Sequence, residues 1–151
     1  MGNQFAWEVK FFVQSVFRNG WKDVLSKLQS NFYTALVSGD TNKDEEEVKN
    51  YFKDGQVWFN QKPKDKLDYI KGLQSVGHKV LMIGDGLNDA GALQQSNVGV
   101  ALSEDINAFS PACDAILDAE NFNRLGDFIR FSKTAMRVVV AGFVLSIFYN
   151  I

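Results

Sequence analysis

The chain has 151 residues, 16 basic against 18 acidic and 46% apolar, so it fits one domain of common size that buries on the order of two-thirds of its unfolded surface. No lysine or arginine block is dense enough for a nucleic-acid footprint, and a single cysteine, Cys113, excludes an internal disulfide and any Cys-x-x-Cys metal pair. Met1 to Lys10 carries no basic segment followed by an apolar core, so no signal peptide is expected.

In chain order, Phe5 to Val16 is aromatic and β-branched with partial alternation, which predicts at least one strand before the break at Arg18-Asn19-Gly20. Trp21, Val24, Leu25 and Leu28 fall at helical spacing and predict an amphipathic helix over 20–28. Phe32 to Val37 then reads as an apolar strand ending at Ser38-Gly39-Asp40. Asp44-Glu45-Glu46-Glu47 suits the first turn of a helix running to Phe52, because the helix dipole favours carboxylates at its amino end. An EF-hand built on Asp40, Asn42 and Asp44 fails for want of a glycine at the sixth loop position and a glutamate at the twelfth. Gln56 to Phe59 is a short strand, and Pro63 opens a helix where a missing N–H costs nothing, with Leu67, Ile70 and Leu73 as its buried stripe. After a turn that leaves His78 at the surface, Val80 to Ile83 reads as a strand buried on both faces. A helix over 88–95 capped by Asn88, strands over 98–102 and 115–117, and one long helix from Phe122 complete the pattern. Cys113 is expected as a small buried apolar side chain. This alternation predicts an α/β fold, a doubly wound, Rossmann-like parallel sheet with a long C-terminal helix, whose ligands gather beyond the carboxyl ends of the strands.

The most informative string is Leu81-Met82-Ile83-Gly84-Asp85-Gly86-Leu87-Asn88-Asp89-Ala90-Gly91-Ala92, in which an apolar strand feeds into two carboxylates separated by small residues. Gly84 and Gly86 let the backbone turn sharply beside a ligand, and Asp85 and Asp89 supply hard oxygen donors. Magnesium prefers one or two carboxylates plus water and phosphate, at about 2.0–2.1 Å, so two aspartates at a strand-to-helix turn suit it. An isolated Gly-Asp-Gly would be an ordinary turn with a capping Asp; the full string points to a magnesium and phosphate site. Ser38 and the Gly39 backbone can donate to phosphoryl oxygens at a neighbouring strand end, and Lys66, at the start of the next helix, can neutralise their charge.

Residues 138–151 are apolar on every helical face and follow the basic pair Lys133 and Arg137. The run is shorter than the roughly 20 residues of a bilayer span, which fits either a buried core helix or the start of a transmembrane segment. A soluble domain ending in such a helix would expose a large apolar patch, which favours the second, and the basic pair would then place that end on the cytoplasmic side.

The order of these elements resembles the haloacid-dehalogenase-like phosphorylation domain of P-type ATPases of the heavy-metal, copper-type branch, from about Phe17 to Ile151. Ser38-Gly39-Asp40 is similar to the family's Thr-Gly-Asp motif, Pro63-Lys64-Asp65-Lys66 to the segment ending in its phosphate-binding lysine, and Asp85 and Asp89 to its magnesium-site pair. The resemblance implies Ser38, Gly39, Asp40, Lys66, Asp85, Asn88 and Asp89 as catalytic residues, with Gly86 and Asn88 beside the phosphate. Phe109 to Ala115 looks like the following loop of transporters associated with cytochrome oxidase assembly. Tyr149-Asn150 is similar to a membrane Tyr-Asn pair, which implies contact with the transported cation, copper(I). Mg2+ as cofactor, ATP as substrate of a complete pump and a membrane location with this domain cytoplasmic follow from the same resemblance. It divides the chain into 1–16, the edge of a nucleotide-binding domain, 17–132, the phosphorylation domain, and 133–151, the start of a transmembrane helix.

The phosphate-accepting aspartate of such pumps lies in an Asp-Lys-Thr-Gly-Thr string, and this chain contains none. Without an activated carboxylate no covalent aspartyl-phosphate forms, so the chain is expected to be a piece of a pump that is inactive alone. A stand-alone phosphatase of the same class, which would also need an Asp-x-Asp, and a non-catalytic binding protein on the same sheet are the alternatives.

Overall fold

The computed structural model describes residues 19–41, 45–52, 56–85, 87–104 and 112–150. The strand expected within Phe5 to Val16, Arg18, Gly86 and residues 109–111 of the loop expected to run to Ala115 lie outside them. The elements are α1 (Trp21–Gln29), β1 (Leu36–Val37), α2 (Glu45–Lys49), β2 (Val57–Trp58), α3 (Pro63–Ser75), β3 (Leu81–Gly84), α4 (Ala90–Gln95), β4 (Val98–Ser103), β5 (Ala115–Asp118), a 3-10 turn over Ala119–Arg124, and α5 (Leu125–Tyr149).

Strands and helices alternate from α1 to β4, β5 is the next described element after β4, and every described strand pair is parallel, as the apolar pattern predicts. The described strands form two sheets, β1–β2 and β3–β4–β5. β4 has a neighbour on each side and is buried from Gly99 to Ala101, whereas β3 has one neighbour and its Leu81 is 41% exposed. The expectation that β3 is buried on both faces is therefore corrected: it is an edge strand among the described residues. β1 is an edge too. Leu36 and Ser38 donate their N–H groups to Gln56 O and Trp58 O at 2.9 and 2.8 Å, so alternation turns the Val37 N–H and C=O toward the opposite edge.

Other boundaries move for identifiable reasons. Phe32 and Tyr33 are exposed and precede β1, because the Asn31 and Phe32 N–H groups both reach back to Leu28 O, at 3.0 and 2.9 Å, and wind the chain into a turn. Phe122 lies in the 3-10 turn, which the Asp118 carboxylate opens by accepting from the Glu120 N–H at 2.9 Å. α4 starts at Ala90 rather than Asn88. Cys113 is half-buried rather than buried. Leu93 and Val48 are the largest fully buried side chains, one in each half of the molecule. Leu93 seats α4 on β4, where Gly99 lies so close beneath that an added Cβ would stand 2.5 Å from Leu93 O.

Candidate functional site

Each polar residue predicted for the phosphate and magnesium site sits just beyond the carboxyl end of a strand or at the start of a helix that follows one. Ser38 directly follows β1, and its Oγ accepts from the Asp40 N–H at 3.1 Å, which leaves the hydroxyl proton able to donate. The turn from β2 into α3 is fastened to this loop by backbone: Asn60 N–H reaches Asp40 O and Gln61 N–H reaches Ser38 O, both at 2.9 Å. Asn60 makes this possible with a φ of 56°, a conformation that asparagine tolerates better than most residues. Gly39 keeps this approach close, since a Cβ there would lie 3.2 Å from Gln61 O and ask the loop to give by a few tenths of an ångström. Pro63 then starts α3, and the Asp65 carboxylate accepts from the Lys62 N–H at 2.9 Å, securing the helix start that carries Lys66.

Lys66 crosses from α3 to the other sheet. Its Nζ lies 2.6 Å from Asp89 Oδ1, and the two side chains are only 13% and 9% exposed. Asp89 occupies the position before α4 but does not cap it; its carboxylate instead lies against Gly84, where an added Cβ would meet Oδ2 at 2.5 Å. The glycine at the end of β3 thus clears the space in which Asp89 meets the lysine. Asp85 is exposed, and its Oδ1 accepts a long bond, 3.4 Å, from the Asn88 N–H, so the remaining carboxylate lone pairs face outward. Asn88 is exposed and contributes its backbone here rather than a side-chain cap.

The structure brings the predicted residues together in three contacts: Ser38 with Asp40, Asp85 with Asn88, and Lys66 with Asp89 across the two sheets. Gly86 lies outside the described residues. Tyr149 and Asn150 are not part of this constellation: they end a 25-residue helix, about 37 Å long at 1.5 Å per residue, where Asn150 Nδ2 bonds Ser146 O at 2.7 Å. Sequence reasoning missed Asn60 and Gln61, whose backbone fixes the distance between the two motifs; an asparagine just ahead of the helix-opening proline was the available signal.

Among the described residues no group of three or more His, Cys, Asp or Glu side chains forms a closed metal site. Two carboxylates at one strand end, one exposed, nevertheless suit a hard divalent ion that completes its shell with water and phosphate.

A model of haloacid dehalogenase-like hydrolases matches residues 4–97. The chain is 35% identical over 122 residues to the copper-transporting ATPase PAA2, chloroplastic, of Arabidopsis thaliana, covering 78% of this chain and 14% of that protein. It is 31% identical to a probable copper-transporting P-type ATPase B of Staphylococcus epidermidis, over 85% of this chain and 19% of the relative. For copper-transporting ATPase 2 of Homo sapiens the values are 30%, 77% and 8%, so the chain spans less than a fifth of the length of these relatives. Among solved structures, the catalytic domain of the CPx-ATPase CopB-B superposes with a TM-score of 0.67 at 33% identity, covering 80% of this chain and 49% of that one. A second structure of that domain, concerned with nucleotide binding, gives 0.60 at 35% identity, with coverages of 74% and 44%. The chain therefore belongs to the haloacid dehalogenase-like hydrolases and is homologous to part of the catalytic domain of copper-transporting P-type ATPases.

Proposed function

We propose that the chain supplies the magnesium- and phosphate-binding half of the phosphorylation site of an ATP-driven copper transporter. The observation that carries this reading is the ion pair from Lys66 to Asp89, which ties the start of α3, already fastened to Ser38 and Asp40, to the end of β3 beside Asp85. In this reading Ser38 and the Gly39 backbone donate to phosphoryl oxygens, with Asp40 holding the Ser38 loop. Lys66 neutralises the phosphoryl charge, and Gly86 and Asn88 line the approach. Asp85 and Asp89 would hold Mg2+, which would supply charge neutralisation for the phosphoryl group. ATP is the substrate of the complete pump.

The aspartate that accepts the phosphoryl group would come on a strand outside this sequence. The edges of β1 and β3 that have no neighbour among the described residues offer parallel pairing for such a strand, at the carboxyl ends where Ser38 and Asp85 wait. Residues 17–132 form the phosphorylation domain, 1–16 the edge of a nucleotide-binding domain, and 133–151 the start of a transmembrane helix. One helix among the described residues is long and apolar enough to cross a membrane. It would carry Tyr149 and Asn150 toward the copper path and leave the domain on the cytoplasmic side, where Lys133 and Arg137 precede the apolar run.

Isothermal calorimetry of orthophosphate binding in the presence of Mg2+ tests the site. Wild-type chain should bind, removal of Mg2+ by chelation should abolish the signal, and Asp85→Asn should weaken it at least about tenfold. Equal binding by wild type and Asp85→Asn would remove the metal role from Asp85.

A further inference from the structure

We propose that the end of the molecule where α5 leaves the sheets is a lipid-docking surface that seats on anionic headgroups, an inference that rests on the reading that α5 enters a bilayer. Lys133 Nζ lies 4.6 Å from the centre of the Phe32 ring. Phe32 belongs to the turn just before β1, so α5 reaches the amino-terminal end of the strands, opposite Ser38 and Asp85, at Lys133. Beyond that point every described residue of α5 is exposed.

Three features at this level match a membrane interface. Phe32, Tyr33 and Phe131 are exposed aromatic side chains, the last 73% exposed; the amphipathic ring of Tyr33 favours the headgroup layer and the two phenyl rings its boundary with the acyl chains. Lys133 lies over Phe32, Arg137 follows one turn further along α5, and no described carboxylate pairs with either. Near an anionic leaflet each such charge strengthens binding about fivefold. Finally, the apolar run begins at Val138, five residues past Lys133, a rise of about 7.5 Å. A bilayer about 40–45 Å thick around a core of about 30 Å leaves about 5–7.5 Å of headgroup layer on each side. When Val138 sits at the edge of the hydrocarbon, the Phe32–Tyr33 turn therefore lies at headgroup depth. Exposed aromatics alone would suit a protein partner equally well; their continuity with an apolar helix and unpaired basic residues favours lipid.

The test is depth-dependent quenching of the full chain made in the presence of phosphatidylcholine–phosphatidylserine vesicles. A Cys113→Ser background carries one fluorescent label at a time, on Asn31→Cys, Leu87→Cys or Phe143→Cys. The label at 143 should be quenched by a spin probe deep in the acyl chains, that at 31 by a probe at the headgroups, and that at 87, at the opposite end, by neither. Lys133→Gln with Arg137→Gln should lower the docked-to-undocked ratio reported at 31 about thirtyfold while the label at 143 stays deep. If that variant fails to insert, Phe32→Ser with Tyr33→Ser should release 31 instead. A label at 31 that stays in water while 143 is deep overturns the docking surface and leaves the membrane reading standing; a label at 143 that stays in water overturns both. Quenching at 31 that persists unchanged in phosphatidylcholine alone overturns the anionic preference. Shielding at 31 in native membranes but not in pure lipid would assign the surface to a protein and overturn the proposal.

Discussion

The two sheets present polar residues at the same end but hold them by different means. In the three-stranded sheet Asp89 is fixed by packing: Leu93 is fully buried, Gly99 closes on the Leu93 carbonyl, and Gly84 clears the space for the carboxylate. In the two-stranded sheet Ser38 and Asp40 are fixed by backbone hydrogen bonds from Asn60 and Gln61 in an exposed loop. A site half set in a core and half hung on a loop has one member that tolerates little change and another whose changes fall on ligand affinity more than on stability. Lys66 joins the halves, so it should matter to both.

Replacing it is the sharpest way to test that contrast. Lys66→Met leaves Asp89 without its partner in a mostly buried position and should cost on the order of 3 kcal/mol in urea denaturation. Lys66→Met combined with Asp89→Asn should recover much of that loss; a double variant as unstable as the single would show that an unpaired carboxylate is not the cause. The glycines come next. Gly99→Ala drives a methyl group into a helix carbonyl that cannot move alone, and about 1–3 kcal/mol of destabilisation is expected. Gly39→Ala meets Gln61 O at 3.2 Å in an exposed loop, so less than about 1 kcal/mol should be lost. Equal losses at the two positions would break the comparison between the halves.

The smallest effect concerns pH. Tyr69 on α3 packs its ring 4.7 Å from that of Trp58 on β2, and burial, with a smaller contribution from the Tyr33 charge, raises its phenol above the ordinary value of 10.0. The folded state thus favours the neutral phenol. Its contribution to stability is fully present below pH 10 and is lost as pH rises through the higher folded value. Tyr69→Phe should remove that alkaline decline from a series of urea midpoints, and an unchanged decline would assign it to another group.

Much of this was legible in the sequence, because the long periodic elements and the glycine–aspartate string each carry a local physical cause. Pro63 fixed the start of α3, and Leu67, Ile70 and Leu73 its inward face, of which Ile70 is buried. What escaped was whatever depends on neighbours. An apolar strand looks the same in sequence whether it has one partner or two, so β3 read as buried on both faces. Phe32 and Tyr33 read as strand because their propensity is local, whereas the turn that holds them out of β1 comes from hydrogen bonds to Leu28. At the site, residue types and order were legible, but the direct contact of Lys66 with Asp89 depends on the fold of a helix against a strand end 23 positions away.

The edge that β3 leaves open among the described residues carries a cost for handling the chain by itself. Leu81-Met82-Ile83-Gly84 has no lysine, proline or bulge to discourage an incoming strand, and its outer row of amides would accept one from a neighbouring copy as readily as from the intended mate. Self-association that grows with concentration, and subsides when a short complementary peptide occupies the edge, is the behaviour this geometry imposes on a preparation of the isolated polypeptide.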